Sequence, residues 1–365
     1  KGTAVQYSAS NLSDLMAADS VYDSTNNKII VVYDGAGSGA GYGIVGTISG
    51  TSISYGSAVQ YSGGNAQHSQ ATYDSTNQRV VVAYADSANS GYLTVAVGTV
   101  SGTSISWGTP VVADSTASDF YTGIDFDINA GKVLIIWKDN VTAYNYSIVG
   151  TVSGTSISFG TRVLVDGSWG YQQIGGLTYD PNAQKHLFTR PRTSGSVTES
   201  YVGTVSGTSV SWGSAVSLTT TQYFYDVFSA YEAPSQKLGV VFTNASDSTL
   251  GTLVATISGS SVSYGSLVNV GAGAYTAPGV YYDATAGEFI AQGKLSNDLL
   301  AYRGTLSGTT ISWGAAQTVA ADADFGSNVG IPGYDTNAGK GLFQWANAAN
   351  TASDSGVASI GDLDL

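Results

Sequence analysis

Gly46-Thr47-Ile48-Ser49-Gly50-Thr51-Ser52-Ile53-Ser54-Tyr55-Gly56 decides the fold, because nearly the same segment opens again at Gly98, Gly150, Gly203, Ala255 and Gly304. The glycines that close the copies are Gly56, Gly108, Gly160, Gly213, Gly265 and Gly314, at steps of 52, 52, 53, 52 and 49 residues. Gly2, in Gly-Thr-Ala-Val-Gln, matches Gly56 in Gly-Ser-Ala-Val-Gln, 54 residues earlier. An aromatic-acidic pair keeps the same beat at Tyr22-Asp23, Tyr73-Asp74, Phe126-Asp127, Tyr179-Asp180, Tyr231-Glu232, Tyr282-Asp283 and Tyr334-Asp335, which makes seven.

Between these landmarks lie short β-branched and aromatic runs bounded by Gly, Asn, Asp and Ser, such as Ser69 to Tyr73, Arg79 to Tyr84, Tyr92 to Val100, and Ser52 to Tyr55 continuing past Gly56 to Tyr61. They read as strands joined by tight turns. Several strands in a period near 52 residues identify a propeller blade, whereas helical solenoids repeat at roughly 33 to 47 residues with helical patterning. The expected fold is therefore all-β: a seven-bladed β-propeller with four antiparallel strands per blade. It forms a single domain over 1–365, in repeats of about 2–55, 56–107, 108–159, 160–212, 213–264, 265–313 and 314–365.

The turns follow from the same columns. In the Asp-x-x-x-x-Lys/Arg segment, as at Asp74 to Arg79, the carboxylate caps backbone N–H groups of a first hairpin turn. Ser-Gly-Thr is a third hairpin turn whose Gly supplies a positive φ. Asp362-Leu363-Asp364-Leu365 stands where the outer strand begins in other repeats, and the second half of that strand is missing from the last one. Lys1 to Tyr7 supplies it, so both termini complete one sheet, with Gly2 near Leu365, and no edge stays open to aggregation.

Forty-seven Gly, twenty-four Tyr and six Pro suit many short strands. The chain lacks Cys, which excludes disulfides and thiolate chemistry. Its net charge of −13 argues against nucleic acid and anionic lipid as partners. No apolar run reaches the roughly 20 residues of a membrane-spanning helix. The opening Lys-Gly-Thr carries neither initiator Met nor signal peptide, so the expectation is a soluble fragment or processed chain without membrane insertion.

In a four-stranded blade the first and third turns share one face of the disc, and the second turns and blade connections share the other. The first and third turns here are near copies. The second turns are unlike one another, as in Asp34-Gly35-Ala36-Gly37, Lys138-Asp139-Asn140-Val141 and Arg190-Pro191-Arg192-Thr193. The connections carry aromatic residues. Recognition usually sits in loops on a rigid scaffold, so this varied face is the expected binding surface. The candidate ligand-binding residues are Tyr121, Trp169, Tyr171, Arg190, Arg192, Tyr223, Tyr225, Tyr275 and Phe325. For the aromatics, sugar stacking competes evenly with capping of the ring. Arg190 and Arg192 suit a carboxylate or sulfate, against the plainer reading of a solvated loop or surface salt bridges.

Tyr55, Trp107, Phe159, Trp212, Tyr264 and Trp313 recur in register and read as packing between blades. His68 and His186 are too few for a three-His metal site. The loop acids Asp34, Asp86, Asp139 and Asp247 lack calcium-loop spacing. Nucleophile-elbow, phosphate-loop and zinc-protease motifs are absent. No catalytic residue, metal or cofactor is expected, and the chain reads as a non-catalytic binding module. A structural part of a fibre, capsid or filament, or a propeller glycoside hydrolase or lyase with carboxylates from distant blades, are the alternatives.

At Tyr-Asp-Ser-Thr-Asn-x-Lys/Arg-x-Val-Val-Val-x-Tyr and Val-Gly-Thr-Val-Ser-Gly-Thr-Ser-Ile-Ser-Trp/Phe-Gly, the chain resembles the tandem repeats of tail-fibre and other virion-surface proteins of marine bacteriophages. The resemblance implies a virion or extracellular location, a glycan or host-surface receptor as partner, and neighbouring virion or fibre proteins. It lies in scaffold strands and carries over no functional residue. Repeats four to six depart most, with Arg190 and Gly293 where others have Tyr33, Tyr84 and Trp137.

Overall fold

A computed structural model describes residues 2–8, 18–35, 39–167, 176–192, 197–218, 224–321, 331–347 and 352–358, with backbone alone at 119–122, 192, 225, 346, 347 and 352–358. Apart from one 3-10 turn at Ser87–Asn89, the regular structure of these residues is β. Each repeat makes an antiparallel four-stranded unit, called a blade below. In the first, Ala18–Asp23 pairs with Lys28–Asp34, which pairs with Ala40–Ser49, which pairs with Ser52–Tyr55 and then with the start of Val59–Asp74. The same order recurs along the chain, as in the sixth unit: Tyr275–Asp283, Glu288–Leu295, Asp298–Ser307, then Thr310–Trp313 with Gln317–Ala320. The repeat boundary at Gly56 therefore cuts an outer strand, and Ser52–Tyr55 with Val59 to Gln60 belongs to the first blade rather than the second.

Both repeated turns take the expected form. Asp23 Oδ1 accepts from the N–H groups of Thr25 and Asn26 at 2.9 and 3.0 Å, and Asp74, Asp127, Asp180, Glu232, Asp283 and Asp335 do the same work in their turns. Each such turn closes on one left-handed residue: Asn27, Gln78, Gly131, Gln184, Gln236, Gly287 or Gly339. In the Ser-Gly-Thr turns, Gly50, Gly102, Gly154, Gly207, Gly259 and Gly308 all have φ near 60°, a conformation that costs glycine nothing.

Blades pack face to face through β-branched and aromatic side chains buried on both sides of each sheet, so the second strands read as continuous apolar runs. Ile30, Val32 and Val45 of the first blade meet Val80, Val82 and Ile105 of the second. The last repeat also touches the first: Leu342 and Tyr7 pack with Ile29, Val31 and Ile44. Ser20 Oγ donates to the Ile331 carbonyl at 3.2 Å across the same junction. Val5–Ser8 pairs with Ala352–Ala358, placing the N-terminal strand in the sheet of the last three strands. Leu365 lies outside the described residues.

Gly56 shows why the closing glycine recurs. A Cβ there would stand 1.8 Å from the Thr103 carbonyl oxygen of the next blade, and Gly108, Gly160, Gly213 and Gly265 meet the following Ser-Gly-Thr or Ser-Gly-Ser turn in the same way. Gly2 meets Thr51 identically, at 1.6 Å. The outer aromatics bind blade to blade as expected: Trp107 Nε1 donates to the Val59 carbonyl at 3.2 Å, Trp212 Nε1 to Ser147 Oγ at 2.9 Å, and Tyr264 is hydrogen-bonded to Ser200.

Candidate functional site

The second turns occupy the face opposite the copied turns, and each is held by its own chemistry. Asp86 accepts from Ala88 N–H, Asp139 from Val141 and Thr142, and Asn244 from Ser246. Asp247 accepts from Thr249 N–H, and Asp34 from Ser69 Oγ at 2.7 Å. These loop acids are occupied as turn and strand caps.

Two of the candidate ligand-binding residues are internal. Tyr275 is 2 % exposed and packs between the fifth and sixth blades, edge-on to Tyr302. The reason lies at Gly293, where neighbouring blades place a large aromatic: a Cβ there would come 2.9 Å from the Tyr275 ring, which fills the space left vacant. Tyr275 is thus a core residue rather than a stacking surface. Arg190 occupies the corresponding aromatic position of the fourth blade and is 3 % exposed. Its guanidinium is ion-paired with Asp166, lies 3.9 Å from Glu199 and sits over the Tyr201 ring. It neutralises half-buried Asp166 and buried Glu199, so it forms an internal ion pair rather than an open anion grip, a solvated loop residue or a surface salt bridge.

Tyr121 lies in Val111–Asp127, at a bulge between Asp119 and Thr122. Tyr225 pairs with Thr243 next to a bulge in Phe224–Glu232, and Arg192 pairs with Val197. Trp169, Tyr171, Tyr223 and Phe325 lie outside the described residues. His186 is buried beneath Tyr179, with Nε2 3.7 Å from Asp127, and His68 is buried as well.

The bulges are a repeated device. They enter the inner strands of the second, third, fifth and sixth blades, and His68, Asp226 and Ala277 take equivalent places there with φ of 53°, 43° and 51°. Side chains other than glycine adopt such φ values at a cost, and bulges redirect side chains near sites. Below them the inner strands enclose a cavity of about 130 Å³, lined by Asp19, Gln70, Ile124, Gly176, Leu177, Thr178, Phe228, Ser229, Val280 and Ile331. All of the repeats contribute to this lining, so the cavity lies where the inner strands converge.

Among the described residues, Asp19 is the one charged group in that wall. Oδ1 accepts from Ser20 N–H at 2.7 Å and Oδ2 from Ala71 N–H of the next blade at 2.9 Å. Burial pushes its carboxyl up to about 7 against the pull of these two donors. Asp125 repeats the arrangement between the third and fourth blades, accepting from Phe126 and Tyr179 N–H at 2.7 Å each; burial raises it too, against nearby His186. Asp226 is half-buried, and burial alone pushes it up to about 6. Sequence reasoning missed all three. Their signal is departure from a column: Asp19 stands where other repeats carry Gln70, Gly123, Gly176, Phe228, Gly279 and Ile331.

No family model and no curated protein matches the sequence. Solved structures match in fold. The periplasmic gluconolactonase PpgL of Pseudomonas aeruginosa superposes with a TM-score of 0.59 at 13 % identity, over 84 % of this chain and 87 % of that one. The β-propeller domain of Cps50 (Swd1) from Myceliophteria thermophila gives 0.56 at 8 % identity, over 96 % and 99 %. The NanB sialidase of Streptococcus pneumoniae gives 0.54 at 8 % identity, over 98 % and 70 %. The chain is an all-β protein of β-propeller fold. Because a sialidase and a gluconolactonase share that fold, the expectation of a non-catalytic chain is corrected: the propeller fold does not by itself decide against catalysis.

Proposed function

We propose that the chain is a seven-bladed propeller closed by both termini, and that it recognises a glycan or host-surface receptor through the face bearing the unlike second turns. Contacts that return from the last blade to the first, together with the pairing of Val5–Ser8 with Ala352–Ala358, support the ring. The observation that carries the recognition reading is the contrast between faces. One set of turns is copied down to its carboxylate caps and φ angles, while the other differs in every blade. A scaffold demand would act on all blades alike; loops freed from it are available for a ligand.

The ligand class follows from connection aromatics set beside Asn, Asp and Gln, which suit stacking on sugar rings and hydrogen bonding to hydroxyls. The phage-like repeats support a virion or extracellular surface as its location, with other virion or fibre proteins as neighbours. A hydrolytic or lyase reading is favoured by one observation. Asp19, on the wall of the cavity, has its carboxyl pushed up to about 7 by burial, within the range in which a group serves as acid or base. A glycan array with the intact chain, alongside Tyr121→Ala, Trp169→Ala and Tyr225→Ala, tests recognition. Binding weakened at least tenfold by these changes supports it, absence of any glycan binding overturns it, and released sugar points to the second reading.

A further inference from the structure

Junctions between blades are closed by three repeated contacts. Gly56, Gly108, Gly160, Gly213 and Gly265 each lie against the residue after the turn glycine of the next blade, and Gly2 lies against Thr51 in the same way. The valine before the glycine that opens each repeated unit shares a core with the next outer strand: Val45 with Ile105, Val97 with Ile157, Val202 with Val262, and Val254 with Ile311. A basic side chain five residues after the capping acid adds a grip. Arg79 Nε donates to the Gly154 carbonyl of the next blade at 2.9 Å, and Lys237 Nζ donates to that of Gly308.

The side of the sixth blade that faces the seventh departs in all three columns. Among the described residues, a Cβ at Gly314 has only the Arg303 carbonyl oxygen within 4 Å, at 3.7 Å. Glu288 stands in the basic column of Lys28, Arg79, Lys132, Lys185, Lys237 and Lys340, and Arg303 stands in the valine column. The two are paired, with Glu288 Oε2 accepting from Arg303 Nε at 3.0 Å and lying 3.0 Å from Nη2. With Thr305, Ser312, Trp313 and Gln317 they line a groove of about 350 Å³.

The last repeat departs at the matching place. Its third strand reaches Ala358, which pairs with Gly341 as Ala255 pairs with Leu238. Residues 359–365 lie outside the described residues. Their sequence puts two residues, Gly361 and Asp362, between Ile360 and Leu363, where four separate Ile257 from Val262. A hairpin shorter by one residue pair reaches about 3.4 Å less far, and an arginine spans a gap that a valine does not. Asp362 follows the turn glycine as Thr103 and Ser260 follow theirs.

We infer that this groove receives residues 361–365 of the same chain, with Asp362 ion-paired to Arg303 and Glu288 positioning the guanidinium from its other side. A guanidinium carries five N–H donors in a fixed fork, enough for two carboxylates. The charged pair replaces the apolar contact and the lysine grip of the other junctions. This inference rests on closure of the ring by both termini and adds the contact that fastens the C-terminal one.

A double-mutant cycle in urea unfolding of the intact chain, Arg303→Gln against Asp362→Asn, reads the pair, since Glu288 is present in all four proteins and cancels. The loss in folding equilibrium constant caused by Arg303→Gln should be about threefold smaller in the Asp362→Asn background, and that difference should shrink in about 1 M sodium chloride. Hydrogen exchange of the wild type reads the segment. Amides of Leu363 to Leu365 should exchange on the order of a hundredfold slower than in an unstructured peptide. Slow exchange without coupling overturns the pairing and leaves ring closure standing, whereas exchange at the unstructured rate overturns both. Self-association that Arg303→Gln removes would assign the groove to a second copy and overturn the inference as well. The exchange measurement decides whether the segment is seated even if the variants do not fold.

Discussion

Asp19→Asn replaces a carboxylate that bridges the inner strands of the first two blades. In the fold, burial moves that carboxyl from an ordinary value of 3.8 to about 7. At about 1.36 kcal/mol for each tenfold change in proton affinity, ionising it costs the folded state on the order of 4 kcal/mol. Between these two values the folded chain binds more protons at this site than the unfolded chain does. The contribution of Asp19 to stability is therefore fully present below pH 4, declines as pH rises through the interval, and levels off above pH 7. Asparagine does not titrate, so the variant lacks this decline. It does lose one acceptor facing a buried N–H group, at a cost of about 1–3 kcal/mol at every pH.

Urea unfolding of both proteins at pH 4.5 and pH 8 separates the two effects. The difference in unfolding free energy between wild type and variant should move by about 3 kcal/mol in the variant's favour on going from pH 4.5 to pH 8, because the unfolded carboxyl is already largely ionised at pH 4.5 and other titrating groups, Asp226 among them, cancel. Parallel stability curves for the two proteins would refute the reasoning, since they would mean that Asp19 ionises as freely in the fold as in the unfolded chain.

Gly160→Ala places a methyl group 1.8 Å from the Thr208 carbonyl oxygen and should cost about 3 kcal/mol. Gly154→Ala, with φ of 61° and open space around it, should cost only about 1 kcal/mol; melting temperatures of the pair check the contrast. Arg190→Ala strands Asp166 and Glu199 and should destabilise by about 3–5 kcal/mol in urea unfolding. Tyr275→Ala should lose about 4 kcal/mol by opening the core around Tyr302, while leaving the spectrum of glycans bound on an array unchanged.

Much of the scaffold was legible because repetition separates what every blade needs from what one blade adds. The seven aromatic-acidic pairs mark capped hairpins, and the Ser-Gly-Thr copies mark left-handed glycines. The half-strand at the N-terminus marks its partner in the last repeat. The site was less legible, for physical reasons. Tyr275 sits in a connection with the composition of a ligand contact, yet its direction is set by the hole at Gly293, far away in sequence. Arg190 carries a surface residue's charge but is buried by Asp166, from the end of the preceding blade's outer strand. Asp226 escaped notice because a bulge shifts the alternation of its strand, and alternation is what a sequence reading relies on to assign a face.

The central claim is that the unlike turns, not the copied ones, meet the partner. Hydrogen exchange of the intact chain with and without the strongest array glycan tests it most directly. Protection gathered in the second turns around Asp86 to Tyr92, Asp139 to Asn145 and Asn244 to Leu250, with the Ser-Gly-Thr turns unchanged, is the result predicted. Protection of the Ser-Gly-Thr turns with the second turns unaffected would contradict the account.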